Sequence, residues 1–125
     1  MILDTNALSA FADGDQALFL ILAPAAEVAV PIVALGEFLF GIGQSRLRVQ
    51  YERWLQTNLP LLNVLPAGQQ TARCYADIRR ELKLAGQPIP SNDIWIAALA
   101  REHGLPLVTR DSHFERVRGL RVFAW

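Results

Sequence analysis

Asp4, Glu37, Asp93 and Asp111 are the four side chains whose types and placement could do chemistry together. Asp4 closes the apolar run Ile2-Leu3, and Asp111 follows Leu107-Val108-Thr109 by one residue. Asp93 falls in the first turn of an expected helix. Glu37 is set among Leu35, Phe38, Leu39 and Phe40, with no basic residue within a turn of it. A lone ionised carboxylate in such surroundings is costly unless it is paired or bound to a metal.

Each acid also has a structural reading on its own. Asp93 suits a helix N-terminus through the macrodipole, Asp4 and Asp111 suit caps or turns, and Glu37 could surface at a helix edge. Together they imply something else. Two carboxylates about 5 Å apart repel by about 3 kcal/mol at an effective dielectric of 20. A converging set must therefore hold protons at raised pKa or hold a divalent cation. An all-oxygen set favours Mg²⁺, with Mn²⁺ as a substitute, over Zn²⁺. Magnesium keeps water positions open, meets substrate phosphates and makes a bound water nucleophilic near neutral pH. The reaction class is metal-assisted phosphodiester hydrolysis. Asp4 and Asp93 are then expected as direct ligands, and Glu37 and Asp111 as holders of ligand waters or a second ion. Thr5, Asn6, Ser91, Asn92 and Thr109 supply supporting hydrogen bonds.

The elements that must position these groups read off the pattern of apolar residues and breakers. Ile2-Leu3, Val28–Val30, Leu61–Val64, Leu107–Thr109 and Leu120–Phe123 are expected strands. Helices are expected after Asp4, over Gln16–Leu22, Ile32–Gly43, Gln44–Asn58 and Gly68–Leu84, and over Asn92–His103 with Ser91 as its cap. The helix over Gly68–Leu84 would bury Ala72, Tyr75, Ile78 and Leu82. Phe114–Val117 reads as a single turn. Short strands alternating with helices imply right-handed crossovers and a mainly parallel sheet. Such sheets bind ligands beyond the carboxyl ends of their strands, the rim to which Asp4, Asp93 and Asp111 all belong.

Composition narrows the function classes. The chain has 125 residues, 52% hydrophobic and 19% charged, which excludes disorder and points to one domain over 1–125. Twelve basic residues balance twelve acids, so any grip on a polyanion must be local. Arg46, Arg48, Arg110, Arg116 and His113 are candidate RNA contacts, although solvated charge is the commoner explanation for such arginines and a plain loop role is the preferred one for His113. A mean hydropathy of +0.22 leaves apolar surface for a partner or a second copy. Cys74 stands alone and reads as a small buried hydrophobe. With no secretory pattern and no apolar run long enough to span a bilayer, a cytoplasmic location is expected.

Ile2-Leu3-Asp4-Thr5-Asn6, Gly36-Glu37-Phe38, Pro90–Ala98 and Leu107–Phe114, followed by Gly119-Leu120-Arg121-Val122, resemble in order and spacing the signature segments of PIN-domain nucleases of the VapC toxin type. The resemblance runs from residue 2 to the end. It implies a three-layer α/β/α sandwich and a Mg²⁺-dependent endoribonuclease whose acidic quartet maps onto Asp4, Glu37, Asp93 and Asp111. It also implies homodimers, and an antitoxin whose segment lies in an apolar groove. Two other readings stay open. A phosphatase-like domain would want a second Asp where Asn6 stands and a Lys near the later strands, and the only Lys is Lys83. A non-catalytic metal- or partner-binding module would leave RNA intact.

Overall fold

The computed structural model describes all residues 1–125. The chain runs β1 (Ile2–Leu3), α1 (Thr5–Ala12), α2 (Gln16–Leu22), β2 (Ala29–Pro31), α3 (Ile32–Gly43), α4 (Arg48–Asn58), β3 (Asn63–Leu65), α5 (Gln69–Leu84), α6 (Ser91–His103), β4 (Leu107–Val108) and β5 (Val122–Phe123). Single 3-10 turns lie at Leu59–Leu61 and Ser112–Arg116.

The strands form one sheet in the order β3-β2-β1-β4-β5, and every pair is parallel. Parallel strands sheltered on both faces are apolar throughout: Ile2, Leu3, Val30, Leu107 and Val108 are completely buried. Right-handed crossovers put α1 to α4 on one face, as the chain steps outward from β1 to β3. The return from β3 to β4 lays α5 and α6 on the other face, giving an α/β/α sandwich. Within the layers α1 packs on α3 and α5 on α6. Strand order reverses between β1 and β4, whose register pairs Ile2 with Leu107 and Leu3 with Val108. The crevice beyond that junction is where such a sheet takes its ligands, and both strands run directly into acidic segments there.

Several boundaries depart from the sequence reading. The fourth helix begins at Arg48 instead of Gln44, because Ser45 Oγ accepts the Leu47 N–H at 3.0 Å and holds a turn before it. Pro60 opens a 3-10 turn, which delays β3 to Asn63. The face that α5 buries is Thr71, Cys74, Ile78 and Leu82, so Ala72 is exposed and Tyr75 only half-buried. Thr71 can be buried because its hydroxyl donates to Glu102 at 2.5 Å and accepts the Gly68 N–H at 2.9 Å. Ser91 does not cap α6: Pro90 holds the extended cap position and Ser91 is already helical. At the other end of α6, Gly104 adopts φ 63°, the left-handed turn that glycine takes without a Cβ clash. Cys74 is buried, and no helix is long and apolar enough to cross a membrane.

Candidate metal and nuclease site

Asp4 is the most deeply placed acid, 3% exposed at the end of β1. Its backbone is extended (φ −77°, ψ −178°), and its Oδ1 accepts the Ala7 N–H at 2.7 Å, which caps α1. Its Oδ2 accepts the Thr109 hydroxyl. Thr109 Oγ1 in turn accepts the Asp111 N–H at 2.9 Å. One buried hydroxyl thus joins the acid after β1 to the acid after β4. Burial pushes the Asp4 carboxyl above its ordinary range; the Thr109 and Ala7 hydrogen bonds oppose this, while the charges of Asp111 and Asp93 reinforce it.

Asp111 caps the turn Ser112–Arg116 by accepting the His113 N–H at 2.9 Å. The same turn swings the His113 ring inward. Its Nδ1 lies 3.0 Å from Asp93 Oδ2 and 3.2 Å from Asp111 Oδ1. Asp93, half-buried in the first turn of α6, is also raised, by burial first and by Asp111 in addition, against the hydrogen bond and charge of His113. Ligand atoms of Asp93, Asp111 and His113 lie within 4.8 Å of one another.

Glu37 stands one step removed. It projects from the middle of α3 and accepts the Thr5 hydroxyl at 3.2 Å. Thr5 directly follows Asp4, so the two acids share a wall. Glu37 lines a cavity of about 280 Å³ with Ser9, Ser45 and Tyr51.

Other sequence-selected residues have different occupations. The Ser91 hydroxyl pairs with Tyr75 Oη at 3.0 Å, away from the acids, because its helical position turns it toward α5. Asn92 is exposed, and Asn6 faces a second cavity beside Asp15, Arg110 and Trp125. Arg48 is bound to Glu52 at 2.9 Å and Arg46 is exposed on the turn before α4. Arg110 lies 4.4 Å over the Trp125 ring and donates to its carbonyl at 2.7 Å. Arg116 donates to the Pro88 carbonyl at 3.0 Å. His113 corrects the sequence reading: it is neither a plain loop side chain nor aimed outward, and the cluster is not all oxygen. No local pattern signals this contact, which spans 20 residues.

The donor set fits a divalent ion. The charges of Asp111 and Asp93 add to the raised pKa of Asp4, and that of Asp111 to the raised pKa of Asp93, at a partly open rim, a repulsion that a cation relieves. The carboxylate oxygens suit a hard divalent ion, whereas the imidazole nitrogen of His113 is the kind of ligand that Zn²⁺, Fe²⁺ or Ni²⁺ takes.

Comparison with known proteins agrees with this fold. The PIN domain profile matches residues 1–120. Ribonuclease VapC5 of Mycobacterium tuberculosis is 32% identical over 94% of this chain and 87% of its own. The chain belongs to the PIN-domain family, in its VapC-type branch. The tRNA(fMet)-specific endonuclease VapC of Shigella flexneri is 31% identical to this PIN domain over 79% of the chain and 76% of its own. A solved member of the VapBC family of toxin–antitoxin systems, VapBC-5 from M. tuberculosis, superposes on this PIN domain with a TM-score of 0.74. It is 30% identical and covers 98% of this chain and 94% of that one.

Proposed function

We propose that the chain is a metal-dependent endoribonuclease, the toxin of a toxin–antitoxin pair, which hydrolyses RNA phosphodiester bonds at the rim beyond β1 and β4. The observation that carries this reading is the meeting of acids from three distant segments: Thr109 bridges Asp4 to the Asp111 backbone, and ligand atoms of Asp93, Asp111 and His113 lie within 4.8 Å of one another. Relatives named ribonuclease and endonuclease support it.

Asp93 and Asp111, with Asp4 behind them, would hold Mg²⁺, or Mn²⁺ in its place. The bound ion supplies charge neutralisation at the phosphate and lowers the pKa of water toward neutrality. The protein's own groups do the rest. Thr109 fixes Asp4 and the Asp111 backbone together, so the carboxylates need no reorganisation when substrate arrives. His113 lies between Asp93 and Asp111 and sets their spacing. Glu37, oriented by Thr5, faces the adjoining cavity, where it can accept a proton from water or hold a second ion. The antitoxin would cover an apolar part of the surface, and the protein would form homodimers, uses that suit exposed Leu20, Phe40 and Leu61.

The test is cleavage of purified tRNA and messenger RNA with Mg²⁺, Mn²⁺ or EDTA. Metal-dependent cuts that disappear in Asp93→Asn, with an unchanged melting profile, are expected. Undiminished cleavage by that variant would falsify the assignment.

A further inference from the structure

A cavity of about 340 Å³ opens between the C-terminal half of α5 and the segment leading into α6. Its apolar floor includes Leu82 and Ile94, and its polar lining consists of Arg79, Lys83 and Ser91. No carboxylate faces it. Lys83, the only lysine of the chain, has no acidic partner, whereas Arg48, Arg80 and Arg101 are each bound to a carboxylate elsewhere. Arg79 is held in place by donating to Tyr75 Oη at 2.9 Å, and the same hydroxyl is bound to Ser91. Arg116 reaches the edge of this opening, where it donates to the Pro88 carbonyl.

The walls are the same elements that carry the acids. Ser91 and Asp93 share the first turn of α6 and leave it on different sides. Arg116 ends the turn that starts at Asp111 and includes His113. An acid-free pocket lined by two cations, with Arg116 bonded to Pro88 on its rim, therefore lies around the N-terminus of α6 from the acid cluster in a protein of zero net charge. A polyanion crossing the acids gains its attraction from such local cations.

We propose that this cavity is a phosphate-gripping subsite for single-stranded RNA, in which Arg79, Lys83 and Arg116 take the sugar-phosphate backbone beside the bond being cut. The assignment rests on the nuclease reading and adds the path of the substrate to it. Tyr75 is a positioning residue that aims Arg79.

The test is binding of a fluorescein-labelled single-stranded RNA about 12 nucleotides long, within the size of single-strand sites, measured by anisotropy in EDTA over a series of KCl concentrations. In Arg79→Ala/Lys83→Ala the affinity falls and the slope of log K against log salt flattens by about 1.4, about 0.7 for each lost phosphate contact. Arg53→Ala, on exposed α4 across the sheet, leaves both unchanged. With Mg²⁺ the double variant raises KM and keeps kcat. Unchanged affinity and slope overturn the proposal. A changed oligomeric mass in light scattering with an unchanged slope also overturns it and makes the cavity a contact between copies. A wild-type protein that shows the salt-dependent grip but cuts no RNA with any metal retains the subsite and removes the nuclease reading instead.

Discussion

Asp4 accepts two hydrogen bonds and still has a raised pKa, so desolvation outweighs its partners. A folded-state value above the unfolded one means that the neutral form favours folding. That contribution is complete below the ordinary carboxylate pKa and is lost as pH rises through the elevated one. Asp93 adds to it with the same sign. In EDTA, Asp4→Asn is therefore expected to melt higher relative to wild type at about pH 8 than at about pH 4, since asparagine also serves as an N-cap. An equal difference at both pH values would show that the buried charge is not felt. Thr109 is fully enclosed and bonded on both sides. Thr109→Val leaves the Asp111 N–H and an Asp4 oxygen without a partner, a cost of about 1–3 kcal/mol read in urea unfolding. Asp4, Asp93, Asp111 and Thr109 can be picked out along the chain because each ends or follows a strand or opens a helix, a local pattern. His113 cannot be placed that way. Its ring reaches Asp93 only because the 3-10 turn curls back toward α6, a tertiary fact with no local signature.

At the level of elements, the turn Ser112–Arg116 is short and depends on Phe114, 1% exposed in the core, to seat it. Phe114→Ala is expected to cost about 3–5 kcal/mol and to slow RNA cleavage further at temperatures below unfolding, because Asp111 and His113 lose their fixed backbone. Cleavage per folded molecule equal to wild type would separate the turn from the site. The alternation of strand and helix, the parallel sheet and the rim occupied by Asp4, Asp93 and Asp111 are legible from apolar runs and their breakers. Helix ends are less so. Ser45 and Pro60 shift α4 and β3 by a few residues through single hydrogen bonds and a ring constraint. The buried side of α5 turns by one residue because Thr71 finds Glu102 on α6, and a residue's polarity alone does not reveal such a partner.

For the whole molecule, metal binding and folding are linked. An ion that binds only the native protein at about 100 times its Kd adds about 2.7 kcal/mol of stability. Differential scanning calorimetry with Mg²⁺ or Mn²⁺ is expected to raise Tm in wild type and not in an Asp93→Asn/Asp111→Asn double variant. Equal shifts in both proteins would place the ion elsewhere. Leu20, Phe40, Leu61 and Leu84 are each more than two-thirds exposed, and a second copy seated on the α2–α3 side would cover part of that apolar surface. Light scattering should accordingly give a mass above 13.9 kDa. One bond described above also governs timing. Asp4 meets Thr109 across 105 residues, and domains emerge from the ribosome N-terminal end first. The acid after β1 therefore lacks its partner until the segment with Thr109 and Asp111 has left the ribosome.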